Sequence, residues 1–401
     1  MNWILIPLSF GVVLITLPGV FESGVLSVAA WFCSKQKTGI ETEGKSLQLG
    51  ILIPAHEEEG LIERAVTSLK SSCGDESVTV IAHNCTDRTA ERAANAGARV
   101  WTLNGPAGKG FALEEGFARL LAEGQDAVLV VDADCVVDSN LVHVVKAALA
   151  DGADAVQCRY ELRPAEKNPR ELMRAMAFRA FNHIRAMGRE GLGLSAGIYG
   201  SGFALSRRAL ETVRYQAHSG VEDLEYHLEL TLNGMRVRYR KDAVVWSEVP
   251  FSRTGDRTQQ ARWDDGRRSV AAKYTEYLPG AIFGGRWSAV EAWMNADSLP
   301  LALQMVALAL LAGLAAPLQP ALRVGLFSYV AAGFVAIALT LLMAAKGYPK
   351  LLLWKAAGKV PYFVIMKVLR LPSAILQRRT KNKWVRTERA PQNTKPFPKG
   401  K

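Results

Sequence analysis

Asp132-Ala133-Asp134 follows an apolar run, Val128-Leu129-Val130-Val131. In an extended chain residues two apart face the same side, so these two carboxylates crowd each other. A hard dication with oxygen ligands, Mg²⁺ or Mn²⁺, relieves that repulsion and bridges carboxylates to a diphosphate. A pair of acids capping the next helix, which starts near Ser139, accounts for the same residues without a ligand. Glu222-Asp223 opens a run of alternating acidic and apolar residues, Leu224 to Leu230. Acids in a first helical turn complement the helix dipole, which explains one of them. The other reading makes Asp223 a general base that deprotonates a hydroxyl. Gln259, Arg262 and Trp263 fall at i, i+3 and i+4, on one face of a helix. Arg262 suits phosphate oxygens, and Trp263 suits a sugar ring. An amphipathic helix packed on membrane helices explains Trp263 equally. No nucleophilic Ser, Cys or Lys stands out. His56 and His227 read as hydrogen-bonding residues rather than metal ligands.

The elements that must position these groups begin at Leu49. Short apolar runs at Leu49–Ala55, Val78–Ala82, Arg99–Thr102 and Ala127–Asp132 read as strands. Amphipathic helices fit between them at Glu58–Ser71, Thr86–Ala98 and Lys109–Glu123. Such alternation predicts an α/β fold with a doubly wound, mostly parallel sheet. Ligands of such sheets bind beyond the carboxyl ends of the strands. Pro54–Glu58, His83–Asp87 and Asp132–Asp134 fall there. The stretch from Asp154 to Tyr277 is mixed, with a basic amphipathic helix over Arg170–Arg189 and a glycine-rich segment over Gly188–Gly202.

The 401 residues exceed what one core normally serves. Trp3–Phe21 with Val25–Phe32, then Leu299–Leu318 and Val324–Ala345, are apolar enough to span a bilayer. A cleaved signal peptide fits the first run less well, because no basic segment precedes it. The formal charge of +11 sits in the tail, where fifteen Lys or Arg from Lys346 to Lys401 face one acid, Glu388. The rest of the chain is slightly acidic, so no basic face for nucleic acid is expected. Lys or Arg every few residues after Lys346 reads as an interfacial helix on the inner leaflet. With Lys35 and Lys37 after the first span, the positive ends lie inside. Expected segments are a transmembrane helix at 1–34, a cytoplasmic catalytic domain at 48–277 and an interfacial segment at 278–298. A transmembrane hairpin at 299–345 and an amphipathic basic tail at 346–401 complete the chain. The expected location is the cytoplasmic membrane, with several spans. Five cysteines in no metal-ligand spacing read as reduced thiols.

In this order and at these separations the motifs resemble those of the family 2 glycosyltransferases. The resemblance is to the membrane-embedded branch with cellulose, hyaluronan, chitin-oligosaccharide and poly-N-acetylglucosamine synthases. Ile51-Leu52-Ile53-Pro54-Ala55-His56-Glu57-Glu58 resembles the opening strand and nucleotide loop. Asn84-Cys85-Thr86-Asp87 resembles the second loop, and Gly108-Lys109-Gly110-Phe111-Ala112-Leu113 the donor-contacting helix start. Gln259-x-x-Arg262-Trp263 matches the QxxRW element. The resemblance implies a GT-A-like fold and an inverting single displacement from a nucleotide-sugar donor, a UDP-sugar, with Mg²⁺ or Mn²⁺. It assigns Pro54, Ala55, Glu57, Glu58, Asn84, Asp87, Lys109 and Asp132 to the donor. Asp134 with Asp132 takes the metal, and Asp223 is the base. Gly202, Glu222, Gln259, Arg262 and Trp263 go to diphosphate and acceptor. The acceptor is a growing polysaccharide or a lipid-linked glycan. Transfer of one sugar to a membrane lipid is a variant, and an inactive sugar-nucleotide-binding scaffold is the alternative. The chain departs from the pattern at His83, where the family usually has Asp, and at Val221, where it often has Thr. Its few spans imply that a polymer channel needs oligomerisation or an export partner.

Overall fold

The computed structural model describes residues 2–35, 47–164, 168–248, 299–361 and 365, with parts of 266–296. The chain divides into two compact units. Among the described residues, one comprises those of 37–163 and 194–296; the other comprises those of 1–36, 164–193 and 297–379.

In the first unit β1 (Leu49–Ala55), β2 (Val78–His83) and β4 (Ala127–Val130) are buried at every position. A strand covered on both faces reads as a continuous apolar run, which is what the sequence shows here. With β3 (Arg99–Leu103) they form the parallel half of the sheet in the order β3-β2-β1-β4. Helices α2 (Ile62–Lys70), α3 (Thr89–Asn95) and α4 (Lys109–Ala122) make the crossovers. Helix α2 buries Ile62, Ala65, Val66 and Leu69, the i, i+3, i+4, i+7 stripe of a core-facing helix. Ile51 and Ile53 pack into one core layer with α2, and Leu52 into the opposite layer with α4. The period of two along β1 therefore feeds two cores.

After β4 the sheet becomes mixed. Short β5 (Val136–Val137), α5 (Leu141–Ala150) and β6 (Ala155–Arg163) follow. Strand β7 (Phe203–Ser206) runs antiparallel to β4 and to β6, while β8 (Val237–Glu248) runs parallel to β6 and antiparallel to β5. The full order is β3-β2-β1-β4-β7-β6-β8-β5. Helices α8 (Arg207–Thr212), α9 (Glu222–Leu232) and α10 (Trp287–Ala296) complete this unit. Gly202 leads into β7 at φ +71°, where an added Cβ would lie 2.6 Å from Val245 Cγ2. Only glycine combines that backbone with that approach.

In the second unit α1 (Asn2–Lys35), α11 (Leu301–Ala315) and α12 (Pro320–Ala345) pack together around Val20, Leu308, Leu311, Val330 and Ile337. Helices α1 and α12 are long and apolar enough to cross a bilayer. Helix α11 is 15 residues long, about 22 Å at 1.5 Å per residue, short of a hydrocarbon core of about 30 Å. Two hydroxyl pairs join α1 to α12: Thr16 Oγ1 lies 2.9 Å from Tyr329 OH, and Ser27 Oγ 2.7 Å from Thr340 Oγ1.

The basic helix of the sequence is present as α6 (Pro169–Arg179), a π-helical stretch (Ala180–Arg185) and α7 (Ala186–Gly191). Asn168 caps it by accepting from the Arg170 and Glu171 amides. This segment, which the sequence places in the 48–277 stretch, groups with the apolar helices. The reason is its buried face: Leu172, Ala175, Ala180, Ile184 and Met187 are all covered. Helix α13 (Lys350–Ala357) follows. The basic tail past 365 and the Gln259–Trp263 element lie outside the described residues.

Candidate active site

The β4 strand ends at Val130, two residues before Asp132. A turn follows, closed by the Cys135 amide donating to Asp132 O at 3.0 Å. The turn, rather than the alternation of an extended strand, brings the two carboxylates together. Ligand atoms of Asp132, Asp134 and Cys135 lie within 4.8 Å of one another. Neither acid caps α5. Its N-cap is Asn140, without a side-chain cap bond, and Asp138 instead accepts from the Val244 amide and Trp246 Nε1.

Asp134 is nearly buried and accepts from Ser247 Oγ at 3.4 Å. Cys135 donates to Asp134 Oδ1 at 3.3 Å and accepts from Ser201 Oγ at 3.4 Å. Burial pushes the Cys135 thiol up to about 12, and the Asp132 charge adds to that. A protonated soft sulfur does not suit Mg²⁺ or Mn²⁺, whereas the two carboxylates do. The donor set therefore fits a hard dication through Asp132 and Asp134 alone.

Lys109, the first residue of α4, reaches the same place. Its Nζ lies 2.5 Å from Asp132 Oδ1 and donates to Gly200 O at 2.7 Å. Burial opposes its charge, but Asp132, then Glu222 and Asp223, hold its pKa above the ordinary lysine value. Helix α4 can enter here because Gly110 packs directly against the Ala217 carbonyl. Opposite, α9 begins at Glu222 with Val221 as N-cap and no side-chain cap bond. Asp223 Oδ1 accepts from the Leu224 amide at 2.9 Å. The N-cap position is thus Val221, while Asp223 satisfies one amide of the first turn. Burial pushes Glu222 up to about 7, with Asp223 and Asp132 adding to the shift and Lys109 opposing it. Lys109, Gly200, Glu222, Asp223, Tyr215 and Tyr226 line one narrow cleft.

The loop over Tyr199–Gly202 is the floor of this cleft. Fully buried Gln157 holds it, accepting from the Tyr199 amide at 2.9 Å and donating to Ser201 O at 2.8 Å. Ser201 Oγ in turn accepts the Asp132 amide at 3.0 Å. Gly202 serves the same frame: its amide donates to Val130 O, and its carbonyl accepts from Cys158. Sequence reasoning missed Gln157 and Ser201. A lone Gln in a strand carries no signal, and the glycines around Ser201 were the only pointer to it.

Pro54 and Ala55 end β1, and Glu57, Glu58, Asn84 and Asp87 lie in the loops after β1 and β2. Several of these side chains are engaged in shaping the loops. Glu57 Oε1 accepts from the Thr86 amide at 2.6 Å and from Thr86 Oγ1 at 3.0 Å. Asp87 accepts from the Thr89 amide at 2.9 Å and from the Glu59 amide at 3.1 Å. The Glu58 amide donates to Thr89 Oγ1 at 2.8 Å. Asn84 exchanges two bonds with Gly105, both 3.0 Å. Glu57 and Asn84 adopt positive φ, +55° and +50°, conformations that these bonds offset. His83 is fully buried at the end of β2. Burial, then neighbouring His56, keeps its pKa below the ordinary value, so it is neutral at pH 7. Gln259, Arg262 and Trp263 lie outside the described residues.

The family model described as glycosyltransferase like family 2 matches residues 48–266. The chain belongs to that family. Among solved structures, this family 2 member is similar to a mannosyltransferase from Pyrobaculum calidifontis in complex with GDP-Man and Mn²⁺. That likeness is 17% identical, covers 82% of this chain and 98% of the other, and has a TM-score of 0.48. It is also similar to glucosyl-3-phosphoglycerate synthase from Mycobacterium tuberculosis in complex with Mn²⁺ and UDP-Glc. There identity is 22%, coverage 57% and 79%, and TM-score 0.39. None of the curated proteins matches the chain. The doubly wound, GT-A-like α/β architecture expected of a family 2 member is the one observed, with antiparallel β7 inserted between β4 and β6.

Proposed function

We propose that this family 2 member is an inverting, metal-dependent glycosyltransferase using a nucleotide-sugar donor, a UDP-sugar in the first instance. The observation that carries the reading is Lys109, which lines one cleft with Glu222 and Asp223 and pairs with Asp132, itself beside Asp134. A sugar leaving a diphosphate needs its growing negative charge stabilised. A bound Mg²⁺ or Mn²⁺ on Asp132 and Asp134 would supply that stabilisation. Lys109 adds a fixed cation, and Arg262 is assigned to the same phosphates. Asp223, presented by the first turn of α9, takes the proton of the acceptor hydroxyl. Single displacement needs no enzyme nucleophile, in keeping with the site's acids and single lysine. Pro54, Ala55, Glu57, Glu58, Asn84 and Asp87 form the donor's base and ribose loops. Gly202, Gln259 and Trp263 complete the acceptor side.

The membrane reading belongs to the same proposal. Helices α1 and α12 cross the cytoplasmic membrane, the unit carrying the cleft lies inside, and the basic tail meets anionic lipid. The acceptor is a glycan or a membrane lipid. The deciding experiment is a screen of nucleotide sugars with detergent-solubilised full chain and Mn²⁺, read by nucleoside diphosphate release. Release that needs both Mn²⁺ and Asp134 supports the proposal. No release from any donor, at protein concentrations that saturate a Mn²⁺ titration, overturns it.

A further inference from the structure

Helix α1 carries one carboxylate, Glu22, within its apolar length. Glu22 is 6% exposed, and its Oε1 lies 2.7 Å from Arg185 Nη2 and 3.0 Å from Arg189 Nη1. Both guanidiniums come from the segment Pro169–Gly191. That segment touches two apolar helices at the same end. Gly188 lies directly against the Leu26 backbone, and a Cβ on Gly191 would meet Cys33 Cβ at 3.2 Å. Arg179 Nη1 donates to Ala344 O at 3.1 Å and Lys346 O at 2.9 Å, the last carbonyls of α12. Pairing of Thr16 with Tyr329 and Ser27 with Thr340 shows that α1 and α12 run in the same direction. Leu26–Cys33 and Ala344–Lys346 are thus at one level.

That level can be placed in a bilayer. Trp3 and Trp31, exposed on α1, are about 42 Å apart along a helix, the thickness of a bilayer with its headgroup regions. Tryptophan favours both of those boundaries. Glu22 then lies about 14 Å inside the Trp31 boundary, where an ionised side chain needs a partner. Around it α1 still offers exposed apolar residues, Phe21, Val25, Val28 and Phe32. With Leu192 and Ala336 these line a groove of about 550 Å³.

We propose that Pro169–Gly191 is a membrane-embedded helix lying in the inner leaflet, with Glu22 as its counter-charge inside the bilayer. The groove between α1 and α12, which Leu192 just past that segment also lines, holds an acyl chain of a bilayer phospholipid. The lining is apolar throughout and continuous with the lipid-facing surfaces of α1 and α12, so the occupant is a chain rather than a headgroup. The inference rests on the membrane reading above and adds a third membrane element drawn from within the 48–277 stretch.

The test uses full-length chain in phosphatidylethanolamine/phosphatidylglycerol vesicles, with a photoreactive benzoylphenylalanine at position 192, 14 or 211. Position 14, exposed on α1 and outside the groove, reports the bilayer, and position 211 is an exposed control on α8. Mass spectrometry should show phospholipid adducts at 192 and 14 and none at 211. Adducts at 14 without adducts at 192 overturn this inference and leave the membrane reading standing. No adducts at 14 overturn both. As a second arm, Glu22→Arg should cut the yield of membrane-integrated protein about tenfold, and adding Arg189→Glu should restore most of it. Unchanged integration of Glu22→Arg overturns the counter-charge role.

Discussion

Lys109 Nζ lies 2.5 Å from Asp132 Oδ1, so the first residue of α4 neutralises the acid that opens the turn after β4. The pair is only partly exposed, and the lysine also spans to the Gly200 carbonyl. Lys109 is thus a built-in cation among three carboxylates. Replacing it with methionine should destabilise the metal-free protein by about 2 kcal/mol, the scale of a lost charge-assisted hydrogen bond. Added Mn²⁺ should narrow the gap between variant and wild type, because a dication replaces the missing charge. Urea unfolding with and without Mn²⁺ measures both. A gap that Mn²⁺ leaves unchanged would show that Lys109 does not share the metal's electrostatic role.

Glu222 gives the site a pH signature. Burial holds its folded-state pKa near 7, above the ordinary carboxyl value of 4.5. Between those values the folded protein keeps a proton that the unfolded chain has lost. Its contribution to stability is therefore complete below about pH 4.5 and declines as pH rises through about 7. Comparing metal-free wild type with Glu222→Gln over pH 4.5 to 7.5 should show a steeper loss of stability in wild type. Parallel curves would place the proton elsewhere.

Asp223→Asn keeps the shape of the α9 first turn and removes the proposed base. Turnover should fall by about 10²- to 10⁴-fold, while donor binding measured by calorimetry stays within about twofold. Wild-type turnover would favour a scaffold without catalysis.

Asp87 joins the two loops proposed to hold the donor. Its carboxylate holds the Thr89 and Glu59 amides at once. Asp87→Ala should cost about 1–2 kcal/mol of stability, as for a lost helix cap, and raise the donor KM more than it lowers kcat. Asp87→Asn, which keeps one accepting oxygen, should recover part of both. Urea unfolding and donor titrations separate the outcomes. A large fall in kcat with unchanged KM would argue against a loop-bracing role.

The sequence by itself determined the parallel half of the sheet, because strands buried on both faces must be apolar from end to end and the helices between them carry a one-sided stripe. It also marked the ends of β1, β2 and β4 as the candidate place of chemistry, since polar residues there cannot enter the core. It marked Asp132, Asp134 and Glu222-Asp223 by type and spacing. The tertiary structure alone decided what joins them. Lys109 meets Asp132 from 23 residues away because α4 packs where Gly110 meets Ala217. Gln157 and Ser201 support the acids through backbone bonds that leave no trace in residue type. The acid pair is set by a turn, so the alternation argument and the structure bring the same two residues together by different geometries. The sequence also read Arg170–Arg189 as amphipathic without a partner. A helix's apolar face says that something covers it, and only the fold shows that α1, α12 and α13 do, with Glu22 meeting two of its arginines.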